Sequence, residues 1–253
     1  RILAICAVVV LHVAASVLKE LPVGDGGWWV AAVFDAYARW AVPVFVMISG
    51  ALLLGPDKRE GLGVFYGKRL RRIGAPLLFW SAFYLLWLVA KGFAGGEPVG
   101  LGELGRRVLT GLPYYHMWFL FMIAGLYAFV PFFRIVAAHA TASELRFLVG
   151  AMFVPAALNA IADKAAQDAF TPFFVSFVPY IPYFFLGHLI RTGGFAPPKR
   201  LAWAVFAGSG ALAAAGCYAV AAGHGLEAGR YFFNNLSVTV IPMAASLMCI
   251  LRS

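Results

Sequence analysis

The amino-acid sequence predicts an all-α membrane protein, a polytopic helical bundle with about eight membrane-spanning helices. Of its 253 residues, 62% are hydrophobic and only 12% are charged, and the mean hydropathy is +0.84. A soluble domain carries about 25% charged residues, so this chain has too little polar surface to cover a soluble globule. In addition, apolar runs of roughly 20 residues, the length that crosses a hydrocarbon core of ~30 Å, recur along the chain.

The predicted spans follow one another through short connections that hold most of the charges, prolines and glycines, as loops do. They lie near residues 1–18, 28–54, 73–93, 116–136, 145–163, 172–190, 201–222 and 232–251. Because they leave no room for a soluble domain, residues 1–253 are predicted to form a single transmembrane domain. The chain starts at an arginine and stops just past an apolar run, so we expect the natural protein to extend beyond both ends.

The loop charges predict the orientation of the helices. One side of the membrane carries 13 lysines and arginines and the other carries 6, with Arg39 left inside a span. The richer side has Arg1, Lys58, Arg59, Lys68, Arg69, Arg71, Arg72, Arg134, Arg146, Arg191, Lys199, Arg200 and Arg252; the poorer side has Lys19, Lys91, Arg106, Arg107, Lys164 and Arg230. By the positive-inside rule the richer side, and with it both ends of the chain, is cytoplasmic.

Topology therefore explains part of the net charge of +9. In a soluble protein such a charge would suggest nucleic acid as a partner. In a membrane protein the location of the charge matters more than its sum. We expect membrane lipids as partners and no nucleic acid.

The first span contains an arginine and a histidine on one helix face. Arg1 and His12 are eleven residues apart, which is almost three helical turns and ~16 Å along the axis. An ionisable residue inside a span is a functional candidate by default, and a histidine can act as a general base near neutral pH. The alternative is a snorkelling arginine and a histidine that bonds to a neighbouring helix. The residues alone leave both alternatives open.

The densest group of basic residues lies at Lys68–Ile73, before the third predicted span. Arg69 and Arg72 are three apart, a spacing that places them on one face of an α-helix. The free backbone amides at the start of that span would add to the positive electrostatic potential of the two arginines. This combination predicts a phosphate site. A membrane anchor that contacts anionic lipids would have the same pattern.

The second span holds an acid–base pair, Asp35 and Arg39, four residues apart. Such a pair lowers the cost of burying both charges in a membrane. Pro43 removes the hydrogen bond to the carbonyl of residue 39, so we expect a kink beside the arginine. The pair is either a structural clip or part of a cavity lining, and the sequence does not decide between them.

The outer end of the fourth predicted span is aromatic, with His116 and Trp118 among tyrosines and phenylalanines. Aromatic faces beside a histidine suit a sugar ring, and they equally suit a belt at the lipid headgroups. The sequence contains no HExxH, CxxC, P-loop, GxGxxG or GxSxG motif. We therefore predict no metal, no nucleoside triphosphate and no serine-hydrolase chemistry.

Four stretches, in this order and spacing, resemble the acyltransferase-3 family of bacterial integral-membrane O-acyltransferases. They are RILAICAVVVLH at 1–12, VPVFVMISGALLL at 42–54, KRLRRIGAPLLFW at 68–80 and HMWFLFMIAGLY at 116–127, and the segment PYIPYFFLGHLI at 179–190 is similar too. The resemblance implies a bundle of ten spans in the bacterial inner membrane. It also implies transfer of an acyl group, commonly acetyl, from cytoplasmic acyl-CoA to a hydroxyl of a cell-envelope glycan or lipid-linked sugar.

The resemblance also implies roles for particular residues. The family's arginine–ten–histidine motif matches Arg1 and His12, its paired arginines match Arg69 and Arg72, and its serine–glycine motif matches Ser49 and Gly50. We expect Arg1, Arg69 and Arg72 to bind the phosphates of acyl-CoA and His12 to act as base or acyl acceptor. As further hypotheses, Arg39 stabilises the oxyanion, and four residues bind the acceptor: Asp35, Ser49, His116 and Trp118.

Two other functions fit a chain with buried charges. A transporter or flippase for a small polar or lipid-linked substrate would line its path with them, but no inverted repeat is visible. A sensor or assembly partner could keep the same fold without catalysis. The presence of both the arginine and the histidine motifs argues against a sensor or assembly partner without catalysis.

Overall fold

The computed structural model describes residues 2–55, 60–165 and 172–252, except for the side chains of 163–165. Arg1, Lys58 and Arg59 lie outside the described residues, as does the side chain of Lys164. Within the described ranges the chain forms helices and turns and no strand, which confirms the predicted all-α class. The helices are α1 Ile2–Glu20, α2 Gly26–Ala38, α3 Ala41–Leu53, α4 Leu62–Arg69, α5 Ala75–Ala94, α6 Leu101–Leu109, α7 Trp118–His139, α8 Ala142–Ala165, α9 Ile181–Thr192, α10 Lys199–His224, α11 Leu226–Gly229 and α12 Val240–Leu251.

In the part of the chain that the structure describes, six helical segments are long and apolar enough to cross a membrane. They are Ile2–Glu20, Gly26–Leu53, Leu62–Ala94, Trp118–His139, Ala142–Ala162 and Lys199–His224. The other two predicted spans contain α9 and α12, which have 12 residues each and follow turns and single 3₁₀ turns. At 1.5 Å per residue such a helix is about 18 Å long, which is shorter than a hydrocarbon core of ~30 Å.

The contacts divide the chain into two compact units. The first comprises Arg1–Gly55, His139–Gln167 and Pro182–Ser253, and the second comprises Pro56–Ala138 and Asp168–Ile181. This division does not test whether the chain acts as one transmembrane domain, which stays a prediction.

Small residues hold α1, α2 and α10 of the first unit together. Alanines on α2 and α10 let the helix backbones approach closely, as small residues do in membrane bundles. Trp28 fills the space beside them and is fully buried. The buried cluster consists of Leu18, Trp28, Ala31, Ala32, Ala36, Ala213, Ala214, Cys217 and Phe233. A smaller cluster packs Ala7 and Leu11 of α1 against Ala38 and Ala41, and this contact positions the middle of α1 beside the end of α2.

Two glycines make the crossing of α3 and α9, also in the first unit. A Cβ atom on Gly50 would overlap the backbone carbonyl of Phe184, and one on Gly187 would overlap the carbonyl of Met47. Each helix therefore needs a glycine where the other helix touches it. Beside this crossing the guanidinium of Arg191 donates to the carbonyl of Ala51, which adds a polar link at the end of α3.

The second predicted span is interrupted at its arginine, as expected. Helix α2 ends at Ala38 and α3 begins at Ala41, with Arg39 and Trp40 in a turn between them. The amide of Arg39 donates to the carbonyl of Ala36, and that of Val44 donates to the carbonyl of Trp40. The α-helical hydrogen-bond pattern therefore begins again after the turn. Pro43 occupies the first turn of α3, where its missing N–H costs least.

The third predicted span begins earlier than expected, and this corrects the phosphate argument based on a helix start. The helical segment runs from Leu62 to Ala94, and Leu70–Gly74 forms a π-helical turn inside it. The amide of Ala75 bonds to Leu70, five residues back, just before Pro76, which has no amide to donate. The amides beside Arg69 and Arg72 therefore lie within a helix and not at its free N-terminus.

We predict that Gly50→Ala and Gly187→Ala each destabilise the first unit severely. A methyl group at either position overlaps backbone, which cannot move without separating α3 from α9. Thermal unfolding of the detergent-solubilised protein should show a large fall in Tm or loss of the folded species. Gly208→Ala is the matched control: nothing lies within 4 Å of the added Cβ on α10, and alanine favours a helix by about 0.5–1 kcal/mol over glycine. Equal Tm values for all three variants would contradict the glycine crossing.

Candidate functional site

His12 lies halfway along α1, and its side chain is exposed on the surface of the described chain. The packing of its neighbour Leu11 against Ala38 and Ala41 places it near the end of α2, and its charge interaction with Asp35 agrees with this position. Arg1, predicted to share its helix face, lies outside the described residues, so its role stays a prediction.

Asp35 and Arg39 form the predicted ion pair, with Arg39 Nη2 donating to Asp35 Oδ2 at 2.6 Å. Their side chains are 1% and 14% exposed, so the pair lies in the interior of the first unit. The second carboxylate oxygen, Asp35 Oδ1, and the guanidinium nitrogen Arg39 Nε are buried without a hydrogen-bond partner among the described residues. The pair therefore uses only part of its hydrogen-bonding capacity. Unpaired hydrogen-bonding atoms are unusual in buried charged groups, and they are typical of functional sites.

Arg230 and Phe233, on the 3₁₀ turn Arg230–Phe233, complete the surroundings of this pair. Arg230 interacts electrostatically with Asp35 and also donates to Glu227 Oε1 at 2.7 Å. The guanidinium of Arg39 lies 5.2 Å from the centre of the Phe233 ring, in cation–π geometry. The structure thus brings together His12, Asp35 and Arg39, and it adds an arginine and a ring that the sequence analysis did not single out.

Ser49 is buried next to the glycine crossing, on α3. Its hydroxyl donates to the carbonyl of Phe45 at 3.0 Å, one turn back on the same helix. The serine–glycine motif thus has an architectural explanation through Gly50. A contact between Ser49 and the acceptor stays a prediction.

In the second unit Arg69 is held in place by rings and by a carboxylate. Its guanidinium lies 4.7 Å from the centre of the Phe65 ring and 5.6 Å from that of Tyr127. Arg69 Nη2 is 4.0 Å from Glu60 Oε1. The guanidinium of Arg134, on α7, lies over the same Phe65 ring at 5.0 Å and reaches Glu60 Oε1 at 3.7 Å.

Arg72 is placed differently from Arg69. It belongs to the π-helical turn and its side chain is exposed, whereas Arg69 is 15% exposed. Leu70–Gly74 is a π-helical turn, whose hydrogen bonds reach five residues back, so the α-helical spacing rule does not hold between the two arginines. Whether they share one face stays a prediction. Whether both arginines bind phosphate stays a prediction.

Arg69 also lines a cavity of about 330 Å³ in the second unit. Its walls come from α4, the π-helical turn and α7, and they are mostly apolar. The lining residues are Tyr66, Gly67, Arg69, Leu70, Ile73, Gly74, Ala124, Tyr127 and Ala128. The hydroxyl of Tyr66 donates to the carbonyl of Ala128 at 2.8 Å and so links α4 to α7 at this cavity.

His116 and Trp118 belong to two different aromatic groups of the second unit. His116 is exposed and makes edge contacts with Tyr84, Tyr114 and Tyr115, with ring centres 5.1–5.3 Å apart. Tyr84 and Tyr114 are stacked at 4.6 Å. Trp118 is half-buried and packs against Tyr180 at 5.9 Å. Their role in acceptor binding stays a prediction.

Local patterns could have revealed only some of the residues that the sequence analysis missed. Phe65 lies four positions before Arg69, a spacing at which an aromatic ring and a cation meet on a helix. Arg134 and Arg230 approach Glu60 and Asp35 across the fold, and Glu60 meets Lys68 from the segment before α4. No periodicity in the sequence indicates these contacts. Among the residues that the structure describes, no group of three or more His, Cys, Asp or Glu side chains could hold a metal ion.

We predict that Asp35→Asn lowers stability because it leaves the buried Arg39 guanidinium without its counter-ion. Removing one partner of a buried pair costs about 3–5 kcal/mol, which should appear as a marked fall in Tm. The double variant Asp35→Asn/Arg39→Gln should recover part of the lost stability, because it leaves no unpaired charge. Glu227→Gln is the matched control: it breaks the exposed pair with Arg230, and such pairs contribute about 0–1 kcal/mol. An equal Tm change in Glu227→Gln and Asp35→Asn would refute a stabilising role for the buried pair.

Comparison with known proteins places this arrangement in a family. The model of the acyltransferase-3 family, described as an acyltransferase domain, matches residues 1–252. No curated protein and no solved structure matches the chain significantly. Because the family model covers nearly the whole chain, and because the described residues include six helical segments that could cross a membrane, the protein belongs to the acyltransferase-3 family and is a membrane acyltransferase.

Proposed function

We propose that this protein transfers an acetyl group from cytoplasmic acyl-CoA to a hydroxyl of a cell-envelope glycan or lipid-linked sugar. The observation that carries the proposal is the position of His12, which lies in the middle of a membrane-spanning helix and beside the end of α2, where the buried Asp35–Arg39 pair lies. A titratable side chain in such a place needs a function, because burying it in a membrane is costly.

His12 acts on the acceptor hydroxyl as a general base. Its unprotonated imidazole nitrogen takes the hydroxyl proton as the oxygen attacks the thioester carbon, the C–S bond breaks, and the CoA thiolate leaves and is protonated. In the second route the imidazole attacks the thioester itself, and the acyl-imidazole then passes its acyl group to the hydroxyl. Both routes use the same residue and release the same products.

The buried ion pair supports His12 electrostatically. The carboxylate of Asp35 stabilises the imidazolium that forms when His12 accepts a proton, as carboxylates near catalytic histidines do. Arg39 donates a hydrogen bond from Nη2 to Asp35, and its guanidinium has further N–H groups that can donate to a substrate. It is therefore our candidate for stabilising the oxyanion at the thioester carbon. Asp35 and Ser49 remain candidates for contact with the acceptor.

The donor is bound by arginines, whose forked donor geometry and permanent charge suit phosphate. We assign this role to Arg69, Arg72 and Arg1. Arg69 is preorganised by the rings of Phe65 and Tyr127, so little conformational freedom is lost when it binds an anion. Arg72 is exposed and loses more freedom on binding.

We assign binding of the sugar acceptor to the aromatic groups around His116 and Trp118. Exposed rings such as Tyr115, which is 63% exposed, offer faces for the apolar side of a sugar. The excess of lysine and arginine on one side of the chain supports the bacterial inner membrane as the location, with both ends of this chain in the cytoplasm. A transporter or flippase is not favoured, because the family is one of acyltransferases.

We predict that His12→Ala abolishes acyl transfer without changing expression, since a general base contributes about 10²–10⁴-fold. The measurement is transfer of radiolabelled acetyl from acetyl-CoA to glycan in membranes that contain equal amounts of each variant. His224→Ala, an exposed histidine at the end of α10, should keep wild-type transfer. Wild-type transfer by His12→Ala would remove this residue from the chemistry, and substrate flux without use of acetyl-CoA would favour a transporter.

Arg69→Gln should weaken acetyl-CoA binding more than Arg72→Gln. A hydrogen bond to a charged group contributes about 1.5–3 kcal/mol, so we expect a 10- to 100-fold higher Kd for Arg69→Gln and a smaller change for Arg72→Gln. Isothermal titration of the purified protein with acetyl-CoA gives both values. Arg200→Gln removes the same charge from an exposed position on α10 and should leave Kd unchanged. If Arg69→Gln binds as tightly as Arg200→Gln does, Arg69 is not a phosphate ligand.

A further inference from the structure

Three cations of the second unit approach a single carboxylate, that of Glu60. Lys68 Nζ donates to Glu60 Oε2 at 2.6 Å. Arg134 Nη2 and Arg69 Nη2 lie 3.7 Å and 4.0 Å from Glu60 Oε1. Glu60, Arg69 and Arg134 are each 15–17% exposed, so solvent reaches the cluster but does not fill it.

The two guanidinium groups are positioned by aromatic rings as well as by this carboxylate. Both lie over the fully buried ring of Phe65, and Arg69 also lies near Tyr127. Cation–π contacts of this kind contribute even when no anion is bound. Arg69 and Arg134 should therefore keep their positions when Glu60 moves or is replaced.

The carboxylate fits this cluster imperfectly. Charge-assisted N–H···O bonds are about 2.7–2.9 Å long, so Glu60 bonds directly to Lys68 and lies beyond bonding distance of both arginines. In addition, Arg69 Nε is buried without a hydrogen-bond partner among the described residues. A phosphate group has three acceptor oxygens in a tetrahedral arrangement. It can accept from all three cations at once, whereas of these three the Glu60 carboxylate bonds directly only to Lys68.

The cavity beside Arg69 provides room for the rest of an organic phosphate. Its volume is about 330 Å³, within the range of small-molecule sites, and residues such as Leu70, Ile73 and Ala124 make its wall apolar. A ligand that joins an anionic group to an extended organic chain matches an apolar cavity with the Arg69 guanidinium in its lining.

We propose that Lys68, Arg69 and Arg134 together bind one phosphate group of the acyl donor, and that Glu60 is an internal counter-ion which this phosphate displaces. The proposal rests on the acyl-CoA dependence proposed above, and it adds Lys68, Arg134 and Glu60 to the donor site. Glu60 makes the site selective, because an anion must be a better partner for three cations than the carboxylate already present. A monovalent anion with few acceptor atoms does not meet that condition.

Glu60 is charged under the conditions in which the donor binds. The hydrogen bond from Lys68, followed by the charges of Lys68, Arg69 and Arg134, lowers the pKa of the Glu60 carboxyl below its ordinary value. The carboxylate therefore stays ionised at neutral pH, and an incoming phosphate has to compete with it. Removing this charge should strengthen phosphate binding.

The test compares CoA binding by Glu60→Gln, Arg134→Gln and Arg134→Lys with the wild type, by isothermal titration of the purified full chain at low salt. We expect Glu60→Gln to lower the Kd for CoA roughly fivefold or more, which is the effect of one charge at a distance of ~4 Å in water. Arg134→Gln should raise the Kd about tenfold or more. Arg134→Lys keeps the charge but loses the planar fork, so it should lie between the wild type and Arg134→Gln.

Glu103→Gln is the matched control for Glu60→Gln. Glu103 is another carboxylate of the second unit that pairs with two arginines, Arg106 and Arg107, at 3.0 Å and 2.7 Å. Its replacement removes the same charge away from the cluster and should leave the Kd for CoA unchanged. A Kd for Glu60→Gln that is unchanged or higher than in the wild type would overturn the counter-ion role, as it would show that Glu60 only holds α4 and α7 together.

Inorganic pyrophosphate separates this inference from the donor assignment. If the wild type binds CoA but Arg134→Gln binds it equally well, the three-cation site fails while the proposed function stands. If the wild type binds no CoA but binds pyrophosphate, more tightly in Glu60→Gln and more weakly in Arg134→Gln, the anion site stands and the acyl-CoA donor fails. If neither probe binds to the wild type, the site itself is refuted.

Discussion

An apolar helix bundle can bury a charge only beside groups that offset its desolvation, because an unpaired buried ion costs several kcal/mol. In the first unit this constraint ties Asp35 to Arg39 across the turn between α2 and α3. Arg39 lies in the turn after α2, over the Phe233 ring, and the charges of Arg230 and His12 act on Asp35. The chemistry proposed for His12 depends on this pair, since it supplies the fixed charges around an otherwise apolar helix.

The second unit meets the same constraint with a different arrangement. Here guanidinium groups are buried against rings, which stabilise a cation without neutralising it. Phe65 is shared by Arg69 and Arg134, and Glu60 lies at the edge of both. Because rings do not compete with an anionic ligand as a tightly bonded carboxylate would, this arrangement suits a site that has to bind and release phosphate. The π-helical turn at Leu70–Gly74 borders the cavity next to Arg69.

Two segments that resemble the family, 42–54 and 179–190, meet at the crossing of Gly50 and Gly187. Their likeness is therefore explained at least in part by packing, since each glycine has to admit the backbone of the other helix. The sequence alone suggested a chemical role for the serine–glycine motif. The structure gives Gly50 an architectural role and leaves the hydroxyl of Ser49 bonded within its own helix.

Hydropathy and helical spacing are local properties, so the sequence by itself determined the membrane class, the positions of the apolar runs and the ion pair four residues apart. It predicted eight spans, whereas six helical segments of the described residues have spanning length. It also pointed to the family through motifs that are short, contiguous stretches of the chain. The tertiary structure alone decided which distant residues surround these groups. Arg134 joins Arg69 and Glu60 because α7 packs against α4, and the charge of Arg230 acts on Asp35 across the first unit. Only the structure also gave the start of the helical segment at Leu62 and the short lengths of α9 and α12. These helix ends depend on turns and prolines, which a hydropathy pattern does not show.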